Sequence, residues 1–415
     1  MPLNTRIGFF LATRALRRAS LWTTGLIIGV MVLTFLNLVV VSGILVGLLQ
    51  GAVDAVRTQY TSDVIISSLD DKKYIENSPN LVALIQTMPQ VSAFTARYRE
   101  AGVLEANYKT RKETDKPNTA NAVLVGINPA AEQAVTGIAG HLVEGEFLVP
   151  GDYDKVVVGA YLLKQYFPIE TPGFTTLEQV SVGTKIRLRV GDVTREVTVK
   201  GVLKSKVDEV SMRAYMVDSQ FRSLIGRNDG NVDEIALKLG KGVKPEAVRD
   251  SLRTRGVGES AKVQTYEDAQ PKFLKDIIAT FGMLGAAFSS IGLVVASITI
   301  FIVVFINALT RRKFIGILKG IGISGHAIEI SYVFQSIFYA LVGSALGLAL
   351  VYGFLVPFVA SHPIDFPFSD GILVAPLDET FFRVGLLVFA TLIAGYIPAR
   401  MIIRKNTLDS ILGRN

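Results

Sequence analysis

Long runs of apolar residues punctuate this chain, and the polar segments are arranged around them. Leu21–Leu49 holds 29 uncharged residues, Ile277–Leu309 and Ala327–Val359 hold 33 each with Glu329 as their sole charge, and Phe381–Ile397 forms a fourth apolar run. About 20 apolar residues suffice to cross a bilayer, so the pattern predicts four transmembrane helices, at 21–49, 277–309, 327–359 and 381–403. At about 1.5 Å per residue the first run reaches roughly 43 Å against a hydrocarbon core of about 30 Å, so it must tilt or protrude. It is also too long for the apolar core of a signal peptide. Ahead of it, residues 1–20 carry Arg6, Arg14, Arg17 and Arg18 with no acid. There Ile7, Phe9, Phe10, Leu11 and Leu16 form an apolar side, which predicts an interfacial helix.

Between the first two runs the periodicity changes. Residues 50–276 alternate short apolar strands with turns, which predicts a large α+β extracytoplasmic domain inserted between helices 1 and 2 of an α-helical membrane protein. Its ends, Gln50–Thr58 and Tyr266–Asp276, read as amphipathic extensions of the flanking spans, with Pro271 placed to kink the second. One β-α-β unit covers residues 63–98 (strand Asp63–Ser67, helix Asn80–Met88, strand Val91–Tyr98). A second covers 234–265 (strand Glu234–Leu239, helix Pro245–Thr254, strand Ala261–Thr265). The two are expected to close into one subdomain. A β-rich insertion at about 100–230 separates them. In it Lys185–Val190 and Glu196–Leu203 flank the turn pair Gly191-Asp192 as a hairpin, short helices are expected at Ala160–Phe167 and Asp218–Ile225, and the polar run Lys109–Asn121 reads as a loop.

Charge supplies the orientation. Of 43 basic and 36 acidic residues, residues 50–276 hold 30 of each, so the whole formal excess of +7 flanks the apolar runs. Lys and Arg collect in short cytoplasmic loops. Residues 310–326 contain four cations and no acid, 360–380 contains Asp365, Asp370, Asp378 and Glu379 and no base, and Arg400, Arg404 and Lys405 close the fourth span. Both termini and 310–326 are therefore expected in the cytoplasm, 360–380 outside, and 404–415 as a cytoplasmic tail. The same distribution argues against a nucleic-acid-binding face.

Candidate chemistry is sparse. The chain has no cysteine, which removes disulfides, thiol catalysis and zinc-thiolate sites. His141, His326 and His362 are scattered without metal-ligand spacing, and no phosphate-cradling Gly-x-x-x-x-Gly-Lys-Ser/Thr, Gly-x-Ser-x-Gly or His-Glu-x-x-His occurs. Catalytic, cofactor and metal sites are accordingly expected to be absent from this sequence. Gly25 and Gly29, Gly43 and Gly47, and Gly343 and Gly347 have the Gly-x-x-x-Gly spacing that lets membrane helices approach closely. Asn37 and Asn307 are the clearest interior polar residues, read as partners of neighbouring helices rather than as substrate contacts.

The basic segment between the second and third runs carries the most specific pattern. Arg311-Arg312-Lys313-Phe314-Ile315-Gly316-Ile317-Leu318-Lys319-Gly320-Ile321-Gly322-Ile323-Ser324 resembles the motif after the second span of the FtsX-like permeases of ABC transporters, the family of the MacB exporter and the LolC and LolE lipoprotein-releasing subunits. Ala12–Arg18 with Thr24-Gly25 and Gly29-Val30, Gly126-Ile127-Asn128-Pro129, Val156-Val157-Val158-Gly159 and Ile397-Pro398-Ala399 are similar to family motifs in the same order. One departure is Phe314, where relatives carry Glu. The resemblance implies a permease subunit that pairs with a second copy or a paralogue and with separate ATPase subunits, which bind the ATP and Mg. Residues Arg311–Ile321 would dock on the ATPase, with Ile315, Ile317, Leu318 and Ile321 as apolar contacts and Arg311, Arg312, Lys313 and Lys319 at the rim. The family's work is ATP-driven movement of the external domain at the inner (plasma) membrane of a bacterium, exporting or extracting a lipoprotein, lipid, peptide or amphiphile, with a periplasmic adaptor or acceptor as a further partner. The alternative within the family is a signalling subunit that regulates an external cell-wall hydrolase.

Overall fold

The computed structural model describes residues 3–112, 116–168, 173–270, 272–362, 365–366, 369–370 and 373–404. Pro271, Glu113, Asp115 and the tail from Lys405 onward, to which the sequence assigns a kink, part of a loop and a cytoplasmic end, lie outside the described residues. In chain order the helices and strands are α1 (Leu3–Arg17), α2 (Leu21–Leu36), α3 (Ser42–Val56), β1 (Val64–Ser67), α4 (Ser78–Gln86), β2 (Val91–Ala106), β3 (Asn118–Ile127), α5 (Pro129–Thr136), β4 (Leu142–Gly145) and β5 (Lys155–Gly159). Then follow β6 (Lys185–Val190), β7 (Val193–Leu203), α6 (Asp208–Ser211), β8 (Arg213–Val217), α7 (Asp218–Leu224), β9 (Glu234–Leu239), α8 (Pro245–Thr254) and β10 (Lys262–Thr265). The chain finishes with α9 (Lys272–Thr310), α10 (Arg312–Gly320), α11 (Gly325–Leu350), α12 (Val356–Ser361), β11 (Asp365–Phe366), β12 (Ser369–Asp370) and α13 (Leu377–Ile403). Two compact units result, one chiefly of long helices and one centred on Gln50–Lys275.

Four helices among the described residues are long and apolar enough to cross a membrane: Leu21–Thr61, Lys275–Thr310, Gly325–Ser361 and Leu377–Ile403. The first joins α2 and α3 through a π-helical turn at Asn37–Val41 and ends in another at Arg57–Thr61; a third π turn, Val351–Leu355, joins α11 to α12. Small residues set the closest approaches. A Cβ on Gly343 or Gly347 of α11 would strike Met31 or the Phe35 ring of α2, and one on Gly395 of α13 would strike Ser336. Ile27, Met31, Phe35, Tyr332, Tyr339 and Leu387 fill the core between these helices. The basic N-terminal segment is more than a surface helix: α1 lies along α11, with Gly8 against Ile330 and the Phe9 ring edge-on to Phe334 at 5.5 Å. Glycine at position 8 permits the approach, which the reading of an interfacial helix did not anticipate.

The α+β unit is one ten-stranded sheet in the order β10-β1-β9-β2-β3-β8-β5-β7-β4, with β6 bonded to both β2 and β7. The outer strands of the two β-α-β units pair with each other, Val64–Ser67 lying antiparallel to both Thr265–Lys262 and Leu237–Glu234. Beyond them, β2, β3, β8, β5, β7 and β6 bond in a closed circuit, because Val103–Glu105 at the far end of β2 returns to pair with β6. Closure leaves those strands no open edge. The 16-residue β2 thus runs through both parts, whereas the sequence suggested a strand ending at Tyr98. The hairpin turn falls at Gly191, whose φ of +52° suits glycine.

Two local expectations are corrected. Residues 160–167 form only a 3₁₀ turn, Ala160–Leu162, because the backbone bonds elsewhere: Leu177 N–H donates to Leu162 O at 2.8 Å and Lys164 N–H to Leu177 O at 3.0 Å. The polar run 109–121 is shorter as a loop, since β3 starts at Asn118. Alternation along the strands sorts side chains into two cores. Leu124, Val156, Ala214 and Met216 join the large cluster; Val125, Val157, Tyr215 and Val217 join a second, which also takes Ala55 and Val56 from the end of α3.

Candidate coupling sites

The segment Arg311–Ser324 folds as a short amphipathic helix set between two long ones. Arg311 precedes α10, Gly322 adopts φ +94° to turn the chain, and Ser324 Oγ accepts a hydrogen bond from Ala327 N–H at 3.2 Å to cap α11. The division of its apolar residues differs from the expected one. Ile315, 3% exposed, packs into the helical core with Gly316 beside it, so it is unavailable to a partner. Phe314, Ile317 and Ile321 are 56%, 52% and 71% exposed and share one face at i, i+3 and i+7; Leu318 is half-buried against the core. Arg311 and Lys313 are exposed beside that face. Lys319 points the other way and donates from Nζ to the Ile403 carbonyl at 2.6 Å, tying α10 to the end of α13; Arg312 is half-buried. Phe314, the residue that departs from the family pattern, therefore belongs to the exposed apolar face.

Of the glycines with close-packing spacing, Gly343 and Gly347 meet a facing helix, while among the described residues nothing beyond the helix's own backbone stands within 4 Å of a Cβ at Gly25 or Gly29. Gly43 abuts the Val374 carbonyl and Leu373 rather than a helix, and Gly47 is buried. Asn37 places its amide oxygen against Gly292 of α9, and Ser42 and Ser289 share a hydrogen bond at 2.8 Å. Asn307 is half-buried. The histidines remain apart: His326 Nδ1 meets Glu329 at 3.1 Å, the His362 ring stacks on Phe358, and among the described residues no group of three or more His, Cys, Asp or Glu forms a metal site.

A second site, in the α+β unit, was missed in the sequence. The end of the first helix is locked to the sheet by a buried ionic network. Arg97 on β2, 2% exposed, donates from Nε and Nη2 to the two carboxylate oxygens of Glu132 at 2.9 and 2.7 Å, and from Nη2 to the Tyr60 carbonyl at 2.9 Å. The Tyr60 hydroxyl donates to Glu234 at 2.9 Å and accepts from Arg213 at 3.0 Å. Glu234, 1% exposed, also meets Arg213, Arg97 and Arg99. Strand register makes this possible, because Arg97 pairs directly with Glu234 across β2 and β9, and Thr95, Arg97 and Arg99 share a face. The Gly126-Ile127-Asn128-Pro129 motif places the third element. Ile127 ends β3, Asn128 caps α5 by accepting from Ala130 and Ala131 N–H at 3.1 Å, and Pro129 fills the first turn, which delivers Glu132 to Arg97. Burial would raise the Glu234 carboxyl, but Arg213, Arg97 and Arg99 outweigh it and hold the group well below the usual carboxylate range. Burial likewise opposes the Arg97 charge, and Glu132 and Glu234 more than restore it. Nearby, Arg57 binds Asp63 at 2.6 Å and lies 4.7 Å over the Tyr266 ring, so the residues that leave the first span and those that lead to α9 meet at one point.

Comparison with known proteins agrees on both parts of the chain. The family model for the MacB-like periplasmic core domain matches residues 20–255, and that for the FtsX-like permease C-terminal domain matches 286–407. An uncharacterized ABC transporter permease of Methanocaldococcus jannaschii is 25% identical over 240 residues, covering 54% of this chain and 58% of the relative. The macrolide export ATP-binding/permease protein MacB of Bdellovibrio bacteriovorus is 26% identical over 301 residues, covering 69% of this chain and 41% of the relative. Both matches span less than two thirds of the relative's own length. The crystal structure of the periplasmic region of MacB from Actinobacillus actinomycetemcomitans aligns over 51% of this chain and 92% of its own, at 18% identity and a TM-score of 0.35.

Proposed function

This chain belongs to the FtsX-like permeases of ABC transporters, with a MacB-like periplasmic core domain, and from that premise we propose that it is the transmembrane subunit through which a partner ATPase drives the external domain. The observation that carries the reading is the division of α10. One side, Ile315 with the Lys319 tether, is fixed to the helical core, while Phe314, Ile317 and Ile321 lie open with Arg311 and Lys313 at the edge. A short helix held rigidly from behind and apolar in front is suited to a groove on a soluble partner. The ATPase, carrying ATP and Mg, sits on the cytoplasmic side with both termini of the chain, in keeping with the basic flanks. A second copy or paralogue packs against part of the exposed apolar surface of the spans.

The proposed stroke couples nucleotide state to α10 as a two-state equilibrium, and α9 carries it to residues beyond the membrane. The buried network around Glu234 supports this reading, since it binds the end of the first helix to the sheet through a joint that cannot slip without exposing unpaired charge. The proposed cargo is a lipoprotein, lipid, peptide or amphiphile handled outside the membrane, because the spans carry almost no charge to line a polar channel. The test is ATP turnover by the co-expressed ATPase in lipid. Phe314→Asp with Ile317→Asp should abolish membrane recruitment and stimulated turnover while leaving insertion intact; unchanged turnover would overturn the docking assignment.

A further inference from the structure

A cavity of about 430 Å³ opens where the end of α10, the start of α11 and the end of α13 converge. Among the described residues its polar lining is Lys319, His326, Glu329, Tyr396, Arg400 and Arg404: three permanent cations against one carboxylate. The carboxylate is already engaged, since Glu329 is buried and its Oε2 meets His326. Lys319 is anchored on the Ile403 carbonyl and Arg400 Nη1 donates to the Tyr396 hydroxyl at 2.9 Å, so two of the cations are held in place at the cavity wall.

The surface leading to the cavity distinguishes between anions. Along α13, Ile393, Ile397, Arg400 and Arg404 follow at i, i+4, i+7 and i+11 and so share a face. Ile393 and Ile397 are exposed, and so is Met401 beside Arg400. The face is thus apolar along the span and cationic at its end, the profile of a phospholipid with its chain against the isoleucines and its headgroup among the arginines. A soluble phosphate ester would use the cations and leave the apolar strip idle.

We propose that the cavity between α10, α11 and α13 binds the headgroup of an anionic membrane phospholipid, with Arg400, Arg404 and Lys319 as its phosphate-facing charges. Basic pockets between membrane helices at the cytoplasmic surface have the chemistry for such headgroups. Because Lys319 belongs to α10, the bound lipid bridges the proposed docking helix and the last span. The site itself stands apart from the docking assignment, and the following test involves no ATPase.

The full-length chain, purified in neutral detergent and stripped of lipid, is titrated with phosphatidylglycerol or phosphatidylcholine, and retained lipid is counted by native mass spectrometry. One phosphatidylglycerol per chain should bind at least about tenfold more tightly than phosphatidylcholine. With about 1 kcal/mol per surface cation, Arg400→Gln with Arg404→Gln should weaken it about thirtyfold. Arg400→Lys with Arg404→Lys should restore it, which separates charge from folding. Lys313→Gln, exposed on α10 but outside the cavity, should leave it unchanged. The proposal is overturned if the two lipids bind alike, if Lys313→Gln weakens binding as much as the double variant, or if glycerol 3-phosphate displaces the lipid at equal concentration, which would assign the site to a free phosphate ester.

Discussion

Replacing Glu234 with Gln tests the buried joint most directly, because it keeps the side chain's shape and removes one charge. In the wild type, the fully buried members Arg97, Arg213, Glu132 and Glu234 balance two positive against two negative. The variant leaves a net positive charge at a position 1% exposed, with Arg213 lacking its carboxylate. Breaking a buried pair from one side costs about 3–5 kcal/mol, whereas a solvent-screened exposed pair such as Lys72–Glu76 contributes little. At about 1.4 kcal/mol per tenfold, amide exchange on β2, β9 and Gln50–Thr61 should accelerate at least about 100-fold, read by hydrogen exchange and mass spectrometry on the full chain. Glu76→Gln should leave exchange within about fivefold. Adding Arg213→Gln to Glu234→Gln restores neutrality and should recover part of the protection. The pH dependence has a definite sign: the Glu234 carboxyl lies below its unfolded value, so its contribution is complete above about pH 4.3 and is lost as pH falls toward the folded value. Wild-type protection should therefore fall further below pH 4 than that of the variant. Exchange unchanged within about fivefold in Glu234→Gln would refute the joint.

Other consequences are simpler to state. Ile315→Ala should lower stability of the helical unit by about 2–4 kcal/mol while Ile317→Ala stays within about 0.5 kcal/mol, seen as a lowered thermal midpoint in detergent for the first alone; equal shifts would contradict the division of α10. Gly347→Leu should destabilise by about 1–3 kcal/mol through the Phe35 ring, and Gly29→Leu, with open space, should not; comparable purified yields of folded protein would argue against that packing. Hydrogen bonds from Lys109, Tyr108 and Lys185 lower the Glu196 carboxyl to about 2. A carboxyl NMR titration should find that midpoint moving toward about 4.3 in about 1 M salt, since the group is exposed to screening, and rising in Lys109→Gln.

The chain revealed its long-range plan more readily than its joints. Uninterrupted apolar runs and flanking cations mark the long helices because bilayer-length hydrophobicity is written contiguously, and strands β6, β9 and the helix at 245–254 followed from local alternation and turn residues. The closed circuit did not, because it depends on Val103–Glu105 returning to β6, a pairing distant in sequence and carried by no turn signal. Nor did the Arg97–Glu234 joint: each residue sits at an ordinary strand position, and only register 137 residues apart makes them partners. A usable hint was present in Thr95-x-Arg97-x-Arg99, polar side chains on one face of a strand whose other face is apolar. On α10, helical spacing identified an apolar side but could not say that Ile315 was already spoken for by the core, which split the expected contact set between inside and outside.

The π turn at Asn37–Val41 changes what a single helix can address. It accommodates one extra residue within a turn, equivalent to about 100° of helical phase. Before it, Met31 and Phe35 are turned to the glycines of α11; after it, Ser42 reaches Ser289 of α9 and Gly43 the backbone at Val374. The helix thus carries a built-in change of aim, serving one neighbour below the turn and different ones above. Length at this point is therefore information: dropping a single residue there would leave the hydrophobicity of the span intact yet point half of it at the wrong partner.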